Sequence, residues 1–456
     1  MTVLIKALQL IVALSLLIAI HELGHFTFAK IFGIRVDKFF LFFDAGGFKL
    51  LSTKSGWFSK LFPKLASRET EYGIGWLPLG GYCKICGMVD ESMDTEFTKH
   101  EPQPWEFRTK PAWQRLLVMA GGVLFNFILA IAIYSGILMK WGTSYYSNED
   151  NYIYVNDLAY DMGFRSGDRI LSFDDYVPEN FGMLQADLAR QTARKARVLR
   201  GTDTLDIYID HSMLPQVLNT PGMFDIAIPF TISAVPSSSV NSEAGIGQGD
   251  RIVALDGRPV RFVQDARGIL RENASRQIET EIVRGADTLC MALQVDSLGM
   301  LGVQLAMPPV KTKEYNFMSA IPAGFSLTFK TIGGYLQDLK LVATPSTGAY
   351  KSVGSFIAMG QIFPSKWNWY EFLNILALLS IMLGVMNLLP VPALDGGHIV
   401  FTLYEMITRR KPSDKFMYAM QIVGMLLIFG LMFLAFGNDI ARLFKMFVIN
   451  QYTFIL

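Results

Sequence analysis

The chain has 456 residues, of which 51% are hydrophobic and 18% are charged, and its mean hydropathy is +0.31. A soluble domain has about 25% charged residues, so this composition excludes a disordered chain and argues against an ordinary cytosolic enzyme. The formal net charge of +1 provides no positive field for nucleic acid, and we expect no nucleic-acid partner. The length permits two or more domains, and three cysteines imply no disulfide framework.

Four apolar stretches are long enough for membrane-spanning helices, which need about 20 residues each. The predicted spans cover residues 3–32, 116–138, 372–389 and 417–436. They divide the chain into a first transmembrane helix (1–32), a second (113–140), a third (366–408), and a fourth with a C-terminal surface segment (409–456). A weaker stretch at 320–332 contains glycine, proline and threonine, and it predicts an interfacial amphipathic segment over 309–365.

The loop charges predict the orientation of these spans. Lysines and arginines cluster after the first span, before the second, and between the third and the fourth. By the positive-inside rule, region 33–112 and the turn at 409–415 are cytoplasmic. Both termini and the long segment 141–365 are then extracytoplasmic.

An HExxH motif, from His21 to His25, lies toward the cytoplasmic end of the first span. Residues four apart on a helix share a face, so both imidazoles can bind one metal ion, and Glu22 can take a proton from metal-bound water. Ionisable groups within a membrane helix are energetically expensive and mark a functional site by default. The alternative is that three polar side chains snorkel at a helix end. We expect the span to be retained, because HExxH follows it where a signal peptide would have small residues for cleavage.

The extracytoplasmic segment contains an internal repeat. Gly167-Asp168-Arg169-Ile170 recurs 82 residues later as Gly249-Asp250-Arg251-Ile252, each followed by an alternating strand pattern. The pattern resembles PDZ domains and predicts two of them, at 143–227 and 228–308. Such domains bind extended peptides by strand addition. The alternative is a pair of spacer domains with empty grooves.

The third metal ligand is predicted near the end of the third span. A catalytic zinc site needs three protein ligands and one open position. Pro390 and Pro392 end the helix after Asn387, and irregular backbone at membrane depth is tolerated only beside protein or a cavity. Asp395 follows and is the preferred ligand; His398 is the alternative, either as ligand or as a hydrogen-bond donor to one. The two motifs meet only if the first and third spans run in the same direction.

The combination of HELGH, Asn-x-x-Pro-x-Pro-x-Leu-Asp-Gly-Gly-His and tandem PDZ patterns resembles the site-2 protease family of intramembrane zinc metalloproteases. The resemblance covers nearly the whole chain and is strongest to bacterial members with two PDZ domains. It implies that His21, His25 and Asp395 bind Zn²⁺ and that Glu22 activates water. It also implies that Asn387 contacts the substrate backbone, and we add Pro390 and Pro392 to the substrate-binding set.

Two further stretches match the family. Residues 71–82 resemble its membrane-re-entrant β-hairpin, whose edge could pair with an unwound substrate helix; the alternative is a cytoplasmic hairpin without substrate contact. Asn126 matches an asparagine of the family's second helix and is assigned to substrate binding, and Gly122 stands where the family usually has proline. Cys83 and Cys86 form a CxxC that we interpret as ordinary apolar thiols.

The predicted fold is therefore a polytopic α-helical membrane protein with about four transmembrane helices, a membrane-associated β-hairpin region and two tandem extracytoplasmic PDZ-like α+β domains. The resemblance implies an inner-membrane protease, with its active site toward the cytoplasm, that cleaves transmembrane segments. Implied substrates are an anti-sigma factor already trimmed by an upstream site-1 protease, and remnant signal peptides. The alternatives are a surface metallopeptidase, and a PDZ scaffold or membrane chaperone with a non-catalytic zinc site.

Overall fold

The computed structural model describes residues 2–88 and 101–453, which form two compact units. The first unit comprises Met1–Gly142, Glu314–Leu339 and Lys351–Leu456; the second comprises Thr143–Lys313 and Lys340–Tyr350. Residues 89–100, in the predicted 33–112 region, and 454–456, at the end of the predicted surface segment, lie outside the described residues.

The helices of the described residues are α1 Thr2–Ile31, α2 Gly56–Leu61, α3 Pro63–Ala66, α4 Ala112–Trp141, α5 Asp157–Asp161, α6 Leu184–Arg190, α7 Leu214–Asn219, α8 Val263–Glu272, α9 Phe317–Ala343, α10 Phe356–Gln361, α11 Trp369–Leu388, α12 Asp395–Thr408 and α13 Asp414–Thr453. The strands are β1 Val36–Phe43, β2 Lys49–Ser52, β3 Glu71–Gly75, β4 Leu77–Ile85, β5 Thr143–Tyr146, β6 Ile153–Val155, β7 Asp168–Phe173, β8 Lys195–Arg200, β9 Asp203–Tyr208, β10 Phe224–Ile226, β11 Ile232–Ala234, β12 Arg251–Leu255, β13 Arg258–Pro259, β14 Gln277–Arg284, β15 Asp287–Gln294, β16 Gln304–Leu305 and β17 Val310–Lys313.

Within the described residues, four helical stretches are long and apolar enough to cross a membrane. They are Thr2–Ile31, Ala112–Trp141, Trp369–Leu388 and Lys415–Ala441. They coincide with the four predicted spans and confirm a multi-pass membrane protein. Helix α9, which contains the predicted amphipathic stretch, is not among them. Helix α13 continues without a break to Thr453, so the predicted C-terminal surface segment begins as part of the same helix.

The ends of α11 follow from its sequence. The side chain of Asn368 accepts hydrogen bonds from the backbone N–H groups of Tyr370 and Glu371, which would otherwise be unpaired in the first turn. The helix ends at Leu388, two residues before Pro390, because proline removes a backbone donor and disfavours helical geometry in the residue before it.

Helices α1 and α4 cross with their backbones in contact. A Cβ atom on Gly24 would collide with the carbonyl oxygen of Gly121, so glycine is needed at this crossing. Small residues allow this close approach where helices pack inside a membrane. Helix α11 packs against α4 through a cluster that includes Ala130, Tyr134 and Ile381. These contacts set the depth at which α1 presents its histidines.

The sheet of the first unit corrects the predicted hairpin. Its strand order is β2-β3-β1-β4, so β3 and β4 are not paired with each other. Strand β1 lies between them, parallel to β3 and antiparallel to β4. The chain crosses the end of β1 at Trp76 and returns along its other side. The short link between two strand-like runs predicts a hairpin locally, but the aromatic-rich β1 supplies a partner for both.

The second unit has two separate hydrophobic cores. One is built from residues between Ile153 and Met223, together with Leu341 and Ala349, and the other from residues between Phe230 and Leu301. Its larger sheets have the orders β7-β8-β9 and β13-β12-β14-β15. Strand β17 pairs with β5, so residues 310–313 belong to this unit, whereas the sequence predicted an interfacial segment from 309.

Each half of this unit contains a buried aspartate that is bound by an arginine. Asp168 receives hydrogen bonds from Nε and a terminal nitrogen of Arg200, both at 2.8 Å. Asp250 receives the same pair from Arg284, both at 2.7 Å. Both aspartates are fully buried, and each follows the glycine of the Gly-Asp-Arg-Ile segment that recurs in the sequence.

Candidate metal centre

The first unit brings three potential metal ligands to one point. His21 and His25 project from α1, and Asp395 is the first residue of α12. Asp395 Oδ2 lies 3.1 Å from His21 Nε2 and 3.4 Å from His25 Nε2, and the two ring nitrogens are 3.2 Å apart. Among the described residues, these three form the group whose atoms could hold a metal ion. His398, the predicted alternative ligand, lies outside this group.

The arrangement fits a tetrahedral zinc ion. Zinc with bonds of about 2.0–2.1 Å holds its ligand atoms roughly 3.3 Å apart, which matches the three separations. Asp395 Oδ2 is buried and has no hydrogen-bond partner within the described residues, although two ring nitrogens lie close to it. A buried carboxylate oxygen without a donor is costly, and a bound cation removes that cost. Two imidazoles and one carboxylate form a typical zinc ligand set.

The second nitrogen of each imidazole is also bound. His25 Nδ1 lies 2.9 Å from the carbonyl oxygen of Val118 on α4, so it carries the proton and leaves Nε2 free for a metal. His21 Nδ1 lies 3.1 Å from the side-chain amide of Asn126, also on α4. Because O and N of an amide are assigned from the network, turning this amide makes Oδ1 the acceptor for His21 Nδ1–H. The turn also gives a partner to Asn126 Oδ1, which is otherwise buried without one.

The surroundings of Asn126 bear on its predicted role in substrate binding, which stays a prediction. The residue is fully buried, its amide contacts His21, and its backbone oxygen accepts a hydrogen bond from Ser380. No surface of Asn126 is available to a substrate in this arrangement. Its amide is placed to orient His21, whose Nδ1 it contacts.

Gly122 provides the space for the two imidazoles. A Cβ atom there would lie 2.5 Å from His25 Nε2 and 2.6 Å from His21 Cε1, both far inside van der Waals contact. Gly122 stands where the family that the chain resembles usually has proline. In this chain the absence of a side chain at Gly122 lets both rings lie against α4.

The loop that leads to Asp395 is held by backbone contacts. Ala393 has φ = 90°, a left-handed conformation that is unfavourable for a residue with a side chain. Strain of this kind persists where the surrounding structure fixes the backbone. A Cβ on Gly397 would lie 2.7 Å from Pro392 Cα, and one on Gly424 of α13 would collide with the Pro392 carbonyl. Three helices thus converge on this loop and fix the start of α12.

The predicted substrate-binding residues of this loop fall into two groups. Asn387 lines the cavity beside the metal cluster, with its amide nitrogen 3.3 Å from His21 Nε2. Pro390 and Pro392 are not among the residues that line this cavity. They shape the loop, because proline cannot continue α11 and the Pro392 backbone packs against two glycines.

A cavity of about 570 Å³ opens onto the metal cluster. Its wall includes Glu22, Asn387 and His398, together with residues 81–85 of β4. Glu22 lies on this wall near the backbone of Cys83. Strand β4 is an edge strand of its sheet, and its residues 81–85 line the cavity beside α1. The cavity therefore combines a metal-ligand set, a carboxylate and an edge strand. These groups are suited to metal-assisted hydrolysis of a peptide bond.

Comparison with known proteins agrees with this chemistry. The sequence profile described as Peptidase family M50 matches residues 9–431. The chain is 28% identical over 490 residues to a Ralstonia nicotianae protein named "Putative zinc metalloprotease", an alignment that covers 96% of this chain and 99% of that protein. It is 27% identical over 460 residues to the regulator of sigma-E protease of Salmonella typhimurium, covering 95% of this chain and 98% of the relative.

Proposed function

The chain belongs to peptidase family M50 and is an intramembrane zinc metalloprotease of the inner membrane. We propose that His21, His25 and Asp395 hold its catalytic Zn²⁺. The observation that supports this ligand set is the convergence of the three donor atoms around a carboxylate oxygen that has no other partner among the described residues. When bound there, Zn²⁺ supplies Lewis-acid chemistry that polarises a carbonyl and makes water more acidic.

The chain's own groups move the proton. Glu22 follows His21 directly and lines the same cavity, so its carboxylate takes a proton from the attacking water and passes it to the nitrogen of the leaving amine. Asn387, beside the cluster, positions the substrate backbone by donating from its amide. The Glu22 side chain lies on the cavity wall beside residues 81–85 of β4, where a substrate strand would pair.

The open edge of β4 binds the substrate as an added strand. Peptide bonds of a transmembrane helix are shielded by their own hydrogen bonds, so the helix must unwind before cleavage. Pairing with residues 81–85, which line the cavity, replaces the hydrogen bonds that unwinding removes. The sheet accordingly lies at the membrane, on the cytoplasmic side, together with the active site.

The second unit is extracytoplasmic and consists of two PDZ-like domains that act as a size filter. The matching buried ion pairs Asp168–Arg200 and Asp250–Arg284, together with two separate cores, support a repeated domain. The filter excludes membrane proteins with bulky outer domains. The substrates are then proteins already trimmed by a site-1 protease, such as an anti-sigma factor, and remnant signal peptides. The scaffold alternative has no support, since it explains neither Glu22 nor the complete ligand set.

The central experiment compares Glu22→Gln with wild type in proteoliposomes that contain a transmembrane reporter substrate. We expect cleavage to be lost while the zinc content, measured by mass spectrometry, stays at the wild-type level. His211→Ala, an exposed histidine of the second unit, is the matched control and should retain both. Cleavage by Glu22→Gln at the wild-type rate would contradict the catalytic assignment.

The size filter is tested by a deletion designed on the structure. Replacing residues 147–309 by an Asn-Gly turn leaves the β5–β17 pair as a hairpin that joins α4 to α9. We expect this variant to cleave a reporter with an intact outer domain, which the wild type rejects. Unchanged selectivity, with cleavage of the trimmed reporter retained, would refute the filter.

A further inference from the structure

We propose that the sheet edge opposite the metal cavity is a binding surface for the headgroups of anionic phospholipids. The surface, called here the basic edge, consists of β2, α2 and α3 (residues 48–68). Strand β2 forms one edge of the sheet and β4 forms the other, so the basic edge is separate from the proposed substrate strand. The inference rests on the proposed position of this sheet at the cytoplasmic face of the membrane.

The charges of the basic edge have one sign. Residues 45–68 contain five cationic side chains and no acidic residue. Lys49 is paired with Glu71, but Lys60, Lys64 and Arg68 are exposed and make no ion pair with a carboxylate of the described residues. Clusters of lysine and arginine beside a membrane bind anionic lipid, because the negative surface potential of the inner leaflet attracts them.

Large apolar side chains are exposed on the same elements. Phe48 is 63% exposed, Leu50 is 59% exposed and Leu61 is 61% exposed. Helix α2 packs against β2, so these side chains belong to one continuous part of the surface. Apolar side chains interleaved with cations are typical of a segment in the membrane interface, where the apolar groups enter the acyl boundary and the cations stay at the headgroups.

The depth of the sheet brings this surface to the lipid. Strand β4 runs beside α1, and a Cβ on Gly81 would lie 2.9 Å from Ile18 of that span. At 1.5 Å per residue, Ile18 is about 20 Å from the end of α1 at Ile31. Part of the sheet therefore lies at the depth of a spanning helix, and its outer elements meet the lipid surface.

Composition favours lipid over a protein partner. Protein interfaces are depleted in lysine relative to the rest of the surface and enriched in arginine. Of the exposed cations on the basic edge, Lys54, Lys60 and Lys64 outnumber Arg68. A flexible ammonium on an apolar stem suits a fluid headgroup layer, which presents no fixed geometry for a planar guanidinium.

The test is photo-crosslinking from the surface itself. Full-length protein with p-benzoyl-phenylalanine in place of Leu61 is reconstituted into vesicles of pure phosphatidylcholine and into vesicles that also contain phosphatidylglycerol. We expect the yield of phospholipid adduct, measured by mass spectrometry, to be at least about threefold higher with phosphatidylglycerol. The triple variant K60E/K64E/R68E should lower that yield to the value in phosphatidylcholine. Equal yields in the two lipids would overturn the proposal.

Two controls test whether the change in adduct yield is specific to the basic edge. The reversal R267E/R271E/R276E changes the same charge on exposed residues of the second unit and should leave the adduct yield at the wild-type value. Cleavage of a detergent-solubilised reporter by K60E/K64E/R68E should equal that of wild type, because the basic edge is apart from the metal cluster. In cell membranes, a protein adduct in place of lipid would refute the lipid assignment and leave the zinc chemistry untouched.

Discussion

Asp250 is fully buried and Asp395 is largely buried, yet their carboxylates have different partners. Asp250 receives two hydrogen bonds from Arg284 and one from the backbone N–H of Gly247, each at 2.7 Å. Asp395 Oδ2 faces two imidazole nitrogens and has no hydrogen-bond partner among the described residues. A buried carboxylate that is fully paired has its desolvation cost offset within the fold, whereas one that lacks a donor marks a place for a cation. The comparison gives a physical basis for the different roles of the two residues, one in an ion pair and one in a metal-ligand set.

Removing each carboxylate in turn tests whether Asp395 and Asp250 have different roles, and it should give the largest effect. We expect Asp395→Ala to lose its zinc and to lower kcat/KM by well over the roughly 10–100-fold that is typical of a residue behind a metal ligand. Asp250→Ala should keep zinc and activity per folded molecule. Metal analysis and a reporter cleavage assay on both variants measure the difference. Equal zinc content in the two would contradict the assignment.

Gly122→Ala tests whether space for the imidazoles is as important as the ligands. The new Cβ would lie within 2.6 Å of both rings, so we expect the rings to move and the zinc affinity to fall by at least about 100-fold. Gly136→Ala is the matched control on the same helix, because no atom lies within 4 Å of its Cβ position. Competition with a chelator measures the affinities. Identical zinc affinities for Gly122→Ala and Gly136→Ala would show that α4 can shift to make room for the new methyl group without loss of the site.

Asn126→Ala tests whether Asn126 acts by orienting the metal ligand His21. Loss of the acceptor for His21 Nδ1–H should reduce zinc affinity about 10–100-fold while the ligands remain. Asn126→Asp, which keeps an oxygen acceptor, should restore most of the affinity. If Asn126→Ala raised KM for the reporter and left zinc affinity unchanged, the original substrate-binding prediction would be right.

The paired carboxylate should affect stability and not chemistry. Asp250→Ala leaves Arg284 and the Gly247 N–H without their acceptor, and because Arg284 is half-exposed we expect a loss of only about 1–2 kcal/mol. Hydrogen exchange in β12 and β14 of the full-length protein should become faster by a corresponding factor. Unchanged exchange there would show that the pair contributes nothing.

The smallest expected effect is on pH dependence. The Arg284 guanidinium hydrogen-bonded to Asp250 holds the pKa of that carboxyl below its usual value. A carboxyl with a lowered pKa in the folded state stabilises at neutral pH, and this contribution is lost as the pH falls below about 4 toward the folded-state pKa. We expect the opening constant of β12, which is the exchange rate divided by the intrinsic rate at each pH, to rise over that range in wild type and less so in Arg284→Gln. Parallel pH profiles would contradict this origin.

Much of the membrane part could be predicted from sequence. Apolar runs of about 20 residues have few alternatives to a spanning helix, and a spacing of four places His21 and His25 on one face. Pro390 and Pro392 predicted the break before Asp395, because a missing donor acts locally. The hairpin prediction for residues 71–82 was wrong, since strand pairing depends on a third segment, β1, that lies earlier in the chain.

Local sequence signals were enough to identify the residue types of the site, the number of spans and the break in α11, because helical periodicity, hydrophobic length and proline geometry act over a few residues. Three contacts could be found only in the folded molecule: Asn126 faces His21, Gly122 makes room for both rings, and Gly424 lets α13 touch Pro392. These contacts join residues far apart in the chain, and packing distances of a few tenths of an ångström decide them. No local pattern records such distances.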